Sequence, residues 1–230
     1  KDLQKDYPVM RGLIFQKEIG RVQAVNRVSF NLYRGETLGV IGESGCGKTT
    51  LSRVAMGLED ATSGSVTFMG HQIKKGMDHE LRSHIQMVFQ DPYSSLDPRM
   101  SVKRILEEPL RIHSKMNAKE KRERVLPLLE QVGLPEEALE RYPHEFSGGQ
   151  RQRIGIARAL ILEPELLICD EPVSALDVSV QAQILNLLRT LQKEKKLTYL
   201  FVSHDMSVIR HISDRILVMH QGELQGELEE

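Results

Sequence analysis

Apolar residues recur along this chain with two different periods, one typical of strands and one typical of helices. The order of the two patterns predicts the architecture. Short apolar or alternating runs predict strands within residues 25–42, where a turn at 34–36 precedes an apolar strand at 37–41, and at residues 65–69, 85–89, 166–170, 199–203 and 215–219. Helical spacing or helix signals predict helices at residues 48–57, 117–134, 147–162 and around 180–191. The stretch 91–162 contains no good strand. The order therefore predicts an α/β core with an inserted helical subdomain.

Local signals refine this outline at three places. Ser147 is a natural N-cap for the helix that follows it. Pro127 lies inside the predicted helix 117–134 and is expected to kink or split it. The N-terminal residues enter a strand-like pattern directly, and hairpin-like alternation continues to Glu230. We therefore expect the chain to be part of a longer protein.

Composition narrows the function classes. Among 230 residues, 31 Lys and Arg balance 32 Asp and Glu, so there is no electrostatic argument for nucleic-acid binding. No run approaches the roughly 20 apolar residues that span a bilayer, so any membrane role is expected to come through a partner. The two cysteines, Cys46 and Cys169, form neither a disulfide framework nor a metal cluster and fit a reducing compartment.

A glycine-rich turn between an apolar strand and a helix predicts a phosphate site. Residues 42–49 read Gly-Glu-Ser-Gly-Cys-Gly-Lys-Thr and fit the P-loop pattern. Glycines let backbone N–H groups turn towards phosphate oxygens, and the helix N-terminus favours the same anion. In this pattern Lys48 reaches the β- and γ-phosphates and the Thr49 hydroxyl binds Mg²⁺.

The apolar run 166–170 ends in two adjacent carboxylates, Asp170 and Glu171. Buried parallel strands have this composition, and ligand-binding groups collect at their carboxyl ends. We expect Asp170 to hold magnesium and Glu171 to polarise an attacking water. Taken alone, the pair is equally compatible with an acidic loop that caps the next helix.

A second candidate anion site opens the helix at residues 147–162. Ser147 is followed by Gly148 and Gly149, which expose the first backbone N–H groups of the helix. An ordinary capped helix is the alternative. However, one nucleotide needs only one γ-phosphate site, whereas two chains facing head to tail use both. A two-fold dimer achieves this with one interface.

Residues 147–153, Ser-Gly-Gly-Gln-Arg-Gln-Arg, resemble the signature motif of the ABC ATPase family. In that family's order, Gln90 matches the Q-loop, residues 174–177 the D-loop and His204 the switch histidine. The resemblance covers essentially the whole chain. It implies an α/β fold with a P-loop NTPase core of the ABC ATPase type, an antiparallel β subdomain and an inserted helical subdomain. Residues 1–230 then form a single nucleotide-binding domain, with the core at 1–89 and 164–230 and the helical signature-motif subdomain at 90–163.

The resemblance also implies roles for individual residues. The catalytic residues it implies are Glu171, His204, Gln90 and Lys48. The residues it implies for ATP binding in the same chain are Tyr7, Gly42, Glu43, Ser44, Gly45, Cys46, Gly47, Lys48, Thr49 and Thr50. The residues it implies for contact with the partner's ATP are Ser147, Gly148, Gly149, Gln150 and Asp177. The Mg²⁺ ligands it implies are Thr49, Gln90 and Asp170.

The adenine contact is open at this stage. The family stacks adenine on an aromatic residue near the first strand. Counting back from Ala24 without a gap reaches Ile19, which cannot stack, whereas Tyr7 matches the usual aromatic. Phe15 is a second candidate, and a core or surface role for either aromatic is the third.

Within the family, residues 42–48, 88–99, 142–147 and 171–177 resemble the ATP-binding subunits of peptide (dipeptide or oligopeptide) and nickel importers. Phe146 replaces the commoner leucine before the signature serine. The resemblance implies four kinds of partner: a second ABC ATPase subunit, identical or different; two integral membrane permease subunits; and, indirectly, an extracytoplasmic solute-binding protein. It implies no nucleic acid, and a peripheral location on the cytoplasmic face of the cell membrane. Residues 91–110 are then expected to form a groove for a membrane-subunit helix.

Two other function classes remain open at the sequence level. A soluble, non-transport ABC ATPase usually carries long coiled coils or two such domains, whereas the insert here is compact. A P-loop kinase of small molecules needs a substrate-phosphate site and gives no reason for the motif at Ser147. Arg151, Arg153 and Arg158 are expected to lie on a solvated, salt-bridged helix face.

Overall fold

The computed structural model describes residues 1–11 and 17–229. The strands are β1 (Leu3–Arg11), β2 (Lys17–Val28), β3 (Thr37–Ile41), β4 (Val66–Phe68), β5 (His71–Ile73), β6 (Ile85–Val88), β7 (Leu166–Asp170), β8 (Thr198–Ser203), β9 (Arg215–His220) and β10 (Glu223–Glu229). The helices are α1 (Lys48–Ala55), α2 (His79–Ser83), α3 (Pro92–Ser95), α4 (Val102–His113), α5 (Ala118–Gln131), α6 (Gly148–Leu160), α7 (Val178–Lys195) and α8 (Met206–Ile212). Two 3-10 helices, Glu136–Glu140 and Pro143–Glu145, precede α6.

One compact unit comprises residues 1–32, 38–77 and 202–230. Within it β9 lies between β10 and β3, antiparallel to the first and parallel to the second. The pairs β1–β2 and β4–β5 each form a separate antiparallel sheet, and Tyr7 lies opposite Val22 in the first of them. All five residues of β3 are buried. This buried strand leads directly into the glycine-rich loop and α1.

The other compact unit comprises residues 33–37 and 78–201. It contains most of β8 and all of β7 and β6, which are neighbours in that order. β6 and β7 are parallel, with Val88 opposite Cys169. Its core includes Ile154, Ile156 and Leu160 of α6, all fully buried. The helices α2 to α7 belong to this unit.

The structure differs from the sequence pattern after Val28 and at Pro127. β2 ends at Val28, before the alternation at residues 30 and 32, whereas the chain turns at residues 34 and 35 and β3 spans Thr37–Ile41 as predicted. Arg27, one residue before that end, has a left-handed φ of 48°. Pro127 does not split its helix, since α5 runs from Ala118 to Gln131 with the proline inside, and a kink at the proline stays a prediction. A capping box between Asn117 and Glu120 stabilises the start of this helix.

The two compact units do not follow the predicted division at residues 90 and 163, because β6 and β7 group with the helices. The division into a core and a signature-motif subdomain therefore stays a prediction. Within the described ranges, no helix is both long enough and apolar enough to cross a membrane.

Candidate functional site

The glycine-rich loop is shaped by close backbone contacts. Gly47, the N-cap residue of α1, has φ 108°, and a Cβ at this position would lie 2.0 Å from the carbonyl oxygen of Ala24. A Cβ at Gly42 would lie 2.2 Å from the carbonyl oxygen of Met219. Only glycine fits at either position. In the described part of the chain, no side-chain hydrogen bond caps the N-terminus of α1, and the helix begins directly after the loop.

Lys48 is 3% exposed, an unusual burial for a lysine. Its ammonium donates to the carbonyl oxygens of Gly42 (2.7 Å) and Glu43 (2.8 Å). The loop therefore holds a positive charge next to a helix N-terminus. Both favour a bound anion, and phosphate is the anion that this combination suits.

Tyr7 lies beside α1 in the same compact unit. Its hydroxyl donates to the carboxylate of Glu59 and is also hydrogen-bonded to Thr50 of α1. Burial, followed by the hydrogen bond to Glu59, raises the pKa of Tyr7. The ammonium of Lys5 lies 5.1 Å from the centre of the ring. The predicted adenine residue is thus attached to the helix that begins at the phosphate loop, while Phe15 lies outside the described residues.

The carboxyl ends of β6 and β7 bring three predicted residues together. Asp170, the last residue of β7, is 4% exposed, and Glu171 follows it. Because Val88 is paired with Cys169, Gln90 and Glu171 leave the sheet side by side. The Gln90 side-chain amide lies 3.4 Å from a carboxylate oxygen of Glu171. The structure therefore places the predicted acid pair and the predicted Q-loop residue at one edge.

Glu171 has a left-handed backbone, with φ 47°. Its carbonyl oxygen accepts hydrogen bonds from the backbone N–H of Ser174 (3.2 Å) and from the Ser174 hydroxyl (3.1 Å). A non-glycine residue in this region carries a conformational cost, and such strain is concentrated at functional sites. The turn after β7 therefore fixes where the Glu171 side chain leaves the backbone.

The start of α6 has the geometry that its sequence predicts. The Ser147 hydroxyl accepts from the N–H of Gln150 (3.3 Å), and the Gln150 side chain accepts from the N–H of Ser147 (3.0 Å). This capping box orders the first turn of the helix. The Ser147 cap of this helix is therefore confirmed.

The signature glycines pack against the segment that contains Asp177. A Cβ at Gly148 would lie 3.3 Å from Leu176, and one at Gly149 would lie 2.4 Å from Val180. Asp177 itself caps α7 by accepting from the N–H of Val180. The residues predicted to contact a partner's nucleotide therefore lie next to one another.

His204 follows β8 and precedes α8. The Ser203 hydroxyl accepts from the N–H of Asp205 (3.1 Å), and Asp205 caps α8. His204 thus lies in a short, hydrogen-bonded turn at the carboxyl end of a strand. Parallel α/β sheets place ligand-binding residues at such ends.

The predicted magnesium ligands supply one hydroxyl, one amide and one carboxylate, from Thr49, Gln90 and Asp170 respectively. Among the described residues, no group of three or more His, Cys, Asp or Glu side chains could hold a metal ion. The predicted set is of another kind, since Mg²⁺ is usually bound through one or two carboxylates, with water and substrate phosphates completing its shell. The oxygen donors fit the ion.

The arginines of α6 do not lie on a solvated, salt-bridged face, so that expectation is wrong. Each instead donates to a backbone carbonyl: Arg151 to Pro143, Arg153 to Val132 and Arg158 to Ser95. Sequence reasoning missed these contacts because charge balance does not show that a guanidinium is buried. The signal in the sequence that could have indicated these contacts is the presence of three arginines in the largely apolar helix after Ser147.

Most of the apolar residues expected to line a groove at 91–110 are buried in the core of their own unit. These buried residues are Leu96, Val102, Ile105 and Leu106. Tyr93 differs, with 63% of its surface exposed. The accessible apolar surface of this segment is therefore centred on Tyr93.

Comparison with known proteins agrees with these features. The family model described as ABC transporter matches residues 25–174. The oligopeptide transport ATP-binding protein AppF of Bacillus subtilis is 54% identical over 228 residues, which cover 97% of this chain and 69% of that protein. The oligopeptide transport ATP-binding protein OppF of Escherichia coli is 57% identical over 205 residues, which cover 87% of this chain and 61% of that protein.

Solved structures extend the comparison to the fold. A dimeric, post-hydrolysis structure of the ATP-binding cassette MJ0796 with ADP and Pi has a TM-score of 0.86 at 30% identity, covering 100% of this chain and 97% of that chain. The structure of cbiO1 from Clostridium perfringens, part of the ABC transporter complex cbiONQ, has a TM-score of 0.80 at 29% identity, covering 100% and 89%. The predicted α/β, ABC ATPase fold is confirmed.

Proposed function

The chain belongs to the ABC transporter family as an ATP-binding, ATP-hydrolysing domain, and we propose that it powers the import of peptides across a membrane. The observation that carries this proposal is the combination of a phosphate loop with a second, capped helix N-terminus after Ser147. The names of the relatives indicate peptides as the cargo. The sequence resemblance also allowed nickel, which none of these names supports.

We assign ATP binding in the same chain to residues 42–50 and Tyr7. The ammonium of Lys48 is held over the loop by two carbonyl oxygens, and a γ-phosphate offers it a stronger, charged acceptor. Tyr7 stacks on adenine, while its hydroxyl bond to Glu59 fixes the ring beside α1. Binding thus uses groups that are already positioned.

We assign hydrolysis to Glu171, which acts as general base on the attacking water. The left-handed turn at Glu171 places this residue directly after the end of β7. Gln90 is within reach of that carboxylate and senses the γ-phosphate. Lys48 and His204 stabilise the charge that develops on the transferred phosphoryl group.

Magnesium fits the oxygen donors of Thr49, Gln90 and Asp170, which are the residues that would hold it. The bound ion neutralises phosphate charge. The position of Asp170 supports this assignment, because it ends the buried strand β7 and ligand-binding groups collect at the carboxyl ends of such strands.

We propose that a second ATPase subunit completes the site. The residues 147–150 and Asp177 lie together but belong to the signature region and not to the phosphate loop, so they suit the nucleotide of the facing subunit. The dimeric cassette with ADP and Pi supports this arrangement. Identical and different partner subunits both satisfy it.

We propose further that two integral membrane permease subunits bind the surface around Tyr93 and that a solute-binding protein supplies the cargo outside the membrane. The chain then lies peripherally at the cytoplasmic face. Tyr93, three residues after Gln90, supports this surface, because its ring is exposed and aromatic residues are enriched at protein interfaces. Cassette cbiO1, which forms part of a transporter complex, is consistent with such an assembly.

The test of the proposed reaction is Glu171→Gln. Removing a positioned general base typically costs about 10²–10⁴ in rate, so we expect ATP turnover to fall by this factor while ATP affinity stays unchanged. Phosphate release and nucleotide binding, measured on the same preparation, separate the two effects. Glu194→Gln, an exposed carboxylate on α7, is the matched control and should retain full turnover. Near wild-type turnover in Glu171→Gln would show that the base has been misassigned.

A further inference from the structure

Arg151 is a buried arginine in the first turn of α6, directly after the signature residues 147–150. It is 6% exposed. Its guanidinium carbon lies 3.6 Å from the centre of the Tyr93 ring, and that ring is itself 63% exposed. The Tyr93 ring therefore covers the guanidinium and stacks on it. A charged group at the start of α6 is thus in contact with the surface that follows Gln90.

The edge of the same guanidinium contacts a third segment. Nε of Arg151 donates to the carbonyl oxygen of Pro143 (2.7 Å), and one terminal nitrogen lies 3.5 Å from the carbonyl oxygen of His144. Arginine can stack through its face and donate through its edge at once, because its guanidinium is planar and carries five donors. Lysine has a compact ammonium with no planar face to stack on the ring. The geometry therefore uses the properties that distinguish arginine from lysine.

A second arginine attaches the same short helix to α6. Arg158 lies two turns after Arg151, on the same side of α6, and donates to the carbonyl oxygen of Ser95. Burial lowers the pKa of its guanidinium. The helix α3 (Pro92–Ser95) is thus held at its start by Arg151 and at its end by Arg158. Both contacts come from one rigid helix.

We propose that Arg151 is a positioning residue that transmits displacement of the signature region to α3. This rests on the proposed function, in which residues 147–150 close on the nucleotide of the facing subunit. When the N-terminus of α6 moves towards that nucleotide, the guanidinium carries the Tyr93 ring with it. The surface centred on Tyr93 is then displaced when the signature region closes on the nucleotide, and this displacement does not depend on Gln90.

Hydrogen exchange measures this transmission directly, because it reports opening of local backbone segments. The full chain carrying Glu171→Gln, with its ATPase partner where it does not dimerise alone, is compared with and without Mg-ATP. We expect Mg-ATP to slow exchange both at residues 147–151 and at residues 91–96. In Arg151→Lys, we expect the slowing at 147–151 to remain and the slowing at 91–96 to be lost. Arg189→Lys, an exposed arginine on α7, should behave as the parent.

Tyr93 supplies an independent pair of variants, whose exposed position makes misfolding no concern. Tyr93→Leu removes the stack and should lose the response at 91–96, whereas Tyr93→Phe keeps the ring and should restore it. A response at 91–96 that survives in both Arg151→Lys and Tyr93→Leu would overturn this inference and leave the proposed function intact. Absence of any slowing at 147–151 in the parent would instead overturn the proposed function, and this inference with it.

Discussion

Individual side chains determine what this site can do, and Glu171 shows how. Its carboxylate lies near the Gln90 amide, while its backbone is held in a left-handed conformation by Ser174. A strained residue persists only where the surrounding hydrogen bonds stabilise it. Ser174 is therefore part of what positions the proposed base, although it does not itself reach the reaction.

Tyr7 provides the prediction at residue scale. Aromatic stacking contributes about 0.5–1.5 kcal/mol beyond area burial, so Tyr7→Ala should raise the dissociation constant for ATP several-fold. Tyr7→Phe keeps the ring and should bind ATP nearly as well as the parent. Titration with a fluorescent ATP analogue measures both variants, and Tyr33→Ala serves as an exposed aromatic control. An unchanged constant in Tyr7→Ala would remove the adenine role from this residue.

Sequence reasoning at this scale identified motif residues more readily than their contacts. The phosphate loop and the Ser147 cap follow from short-range patterns, because glycine conformations and capping bonds involve neighbouring residues. The contacts of Arg151 and Arg158 join segments that are distant in sequence. No local pattern specifies such pairs.

At the scale of elements, caps fix where several helices begin. Asp205 accepts from the N–H of Ser207 (2.8 Å) and from its hydroxyl (2.6 Å). Both hydrogen bonds lower the pKa of Asp205, and the bond from the Ser207 hydroxyl has the larger effect. The cap also closes the turn that contains His204, so it stabilises both a helix and a proposed site residue.

Asp205→Ala should destabilise the chain by about 1 kcal/mol, or about 2–4 °C in melting temperature, at neutral pH. Because the pKa is lower in the folded state, this contribution is present above the unfolded pKa of about 4 and is lost as pH falls through the folded value. The difference in melting temperature between the parent and Asp205→Ala should therefore narrow near pH ~3. Asp205→Asn keeps a neutral cap and should show little loss at neutral pH. Thermal melts at both pH values test this, and an equal gap at both would contradict it.

Element boundaries were predicted well where a cap or a buried strand marks them, as at Ser147 and β7. They were missed where tertiary packing overrides a local rule. Pro127 remains inside α5, whose buried residues Val125, Leu128 and Leu129 keep the helix continuous across the proline. Beyond Val28 an alternating pattern continues without a partner strand, so periodicity alone overestimated β2.

At the scale of the whole molecule, the proposed dimer holds each ATP between two subunits. It therefore predicts that ATP drives the association of the subunits. Chains carrying Glu171→Gln should dimerise on addition of Mg-ATP. Adding Gly148→Asp should prevent this, because its carboxylate would face a phosphate group. Gly148→Asn has the same shape without the charge and should still dimerise, with its Cβ 3.3 Å from the flexible end of Leu176. Gly149 is less suitable, since a Cβ there would clash with Val180 at 2.4 Å.

Sedimentation velocity distinguishes the outcomes of this experiment. Dimers with Asn and monomers with Asp at position 148 support a phosphate contact across the interface. Equal association of both variants would show that residues 147–150 do not face the nucleotide. When the chain associates only with a different ATPase subunit, the same comparison applies to the mixed dimer.

The family, and the general fold with it, could be predicted from the sequence because its motifs are short and ordered. The arrangement of compact units could not, since β6 and β7 join the helices through contacts that are remote in sequence. Cargo also lies beyond the motifs. The resemblance of four segments allowed peptides or nickel, and the names of the relatives, whose own lengths are 69% and 61% covered by the matched segments, indicate peptides.

ATP-dependent uptake of a labelled oligopeptide into membrane vesicles tests the central claim most directly. The vesicles contain the transporter purified through this chain, with ATP on the side that the chain occupies. We predict accumulation with the parent chain and loss of accumulation with Glu171→Gln, at equal amounts of assembled complex. ATP hydrolysis by the parent without peptide uptake, or uptake that persists in Glu171→Gln, would contradict the account.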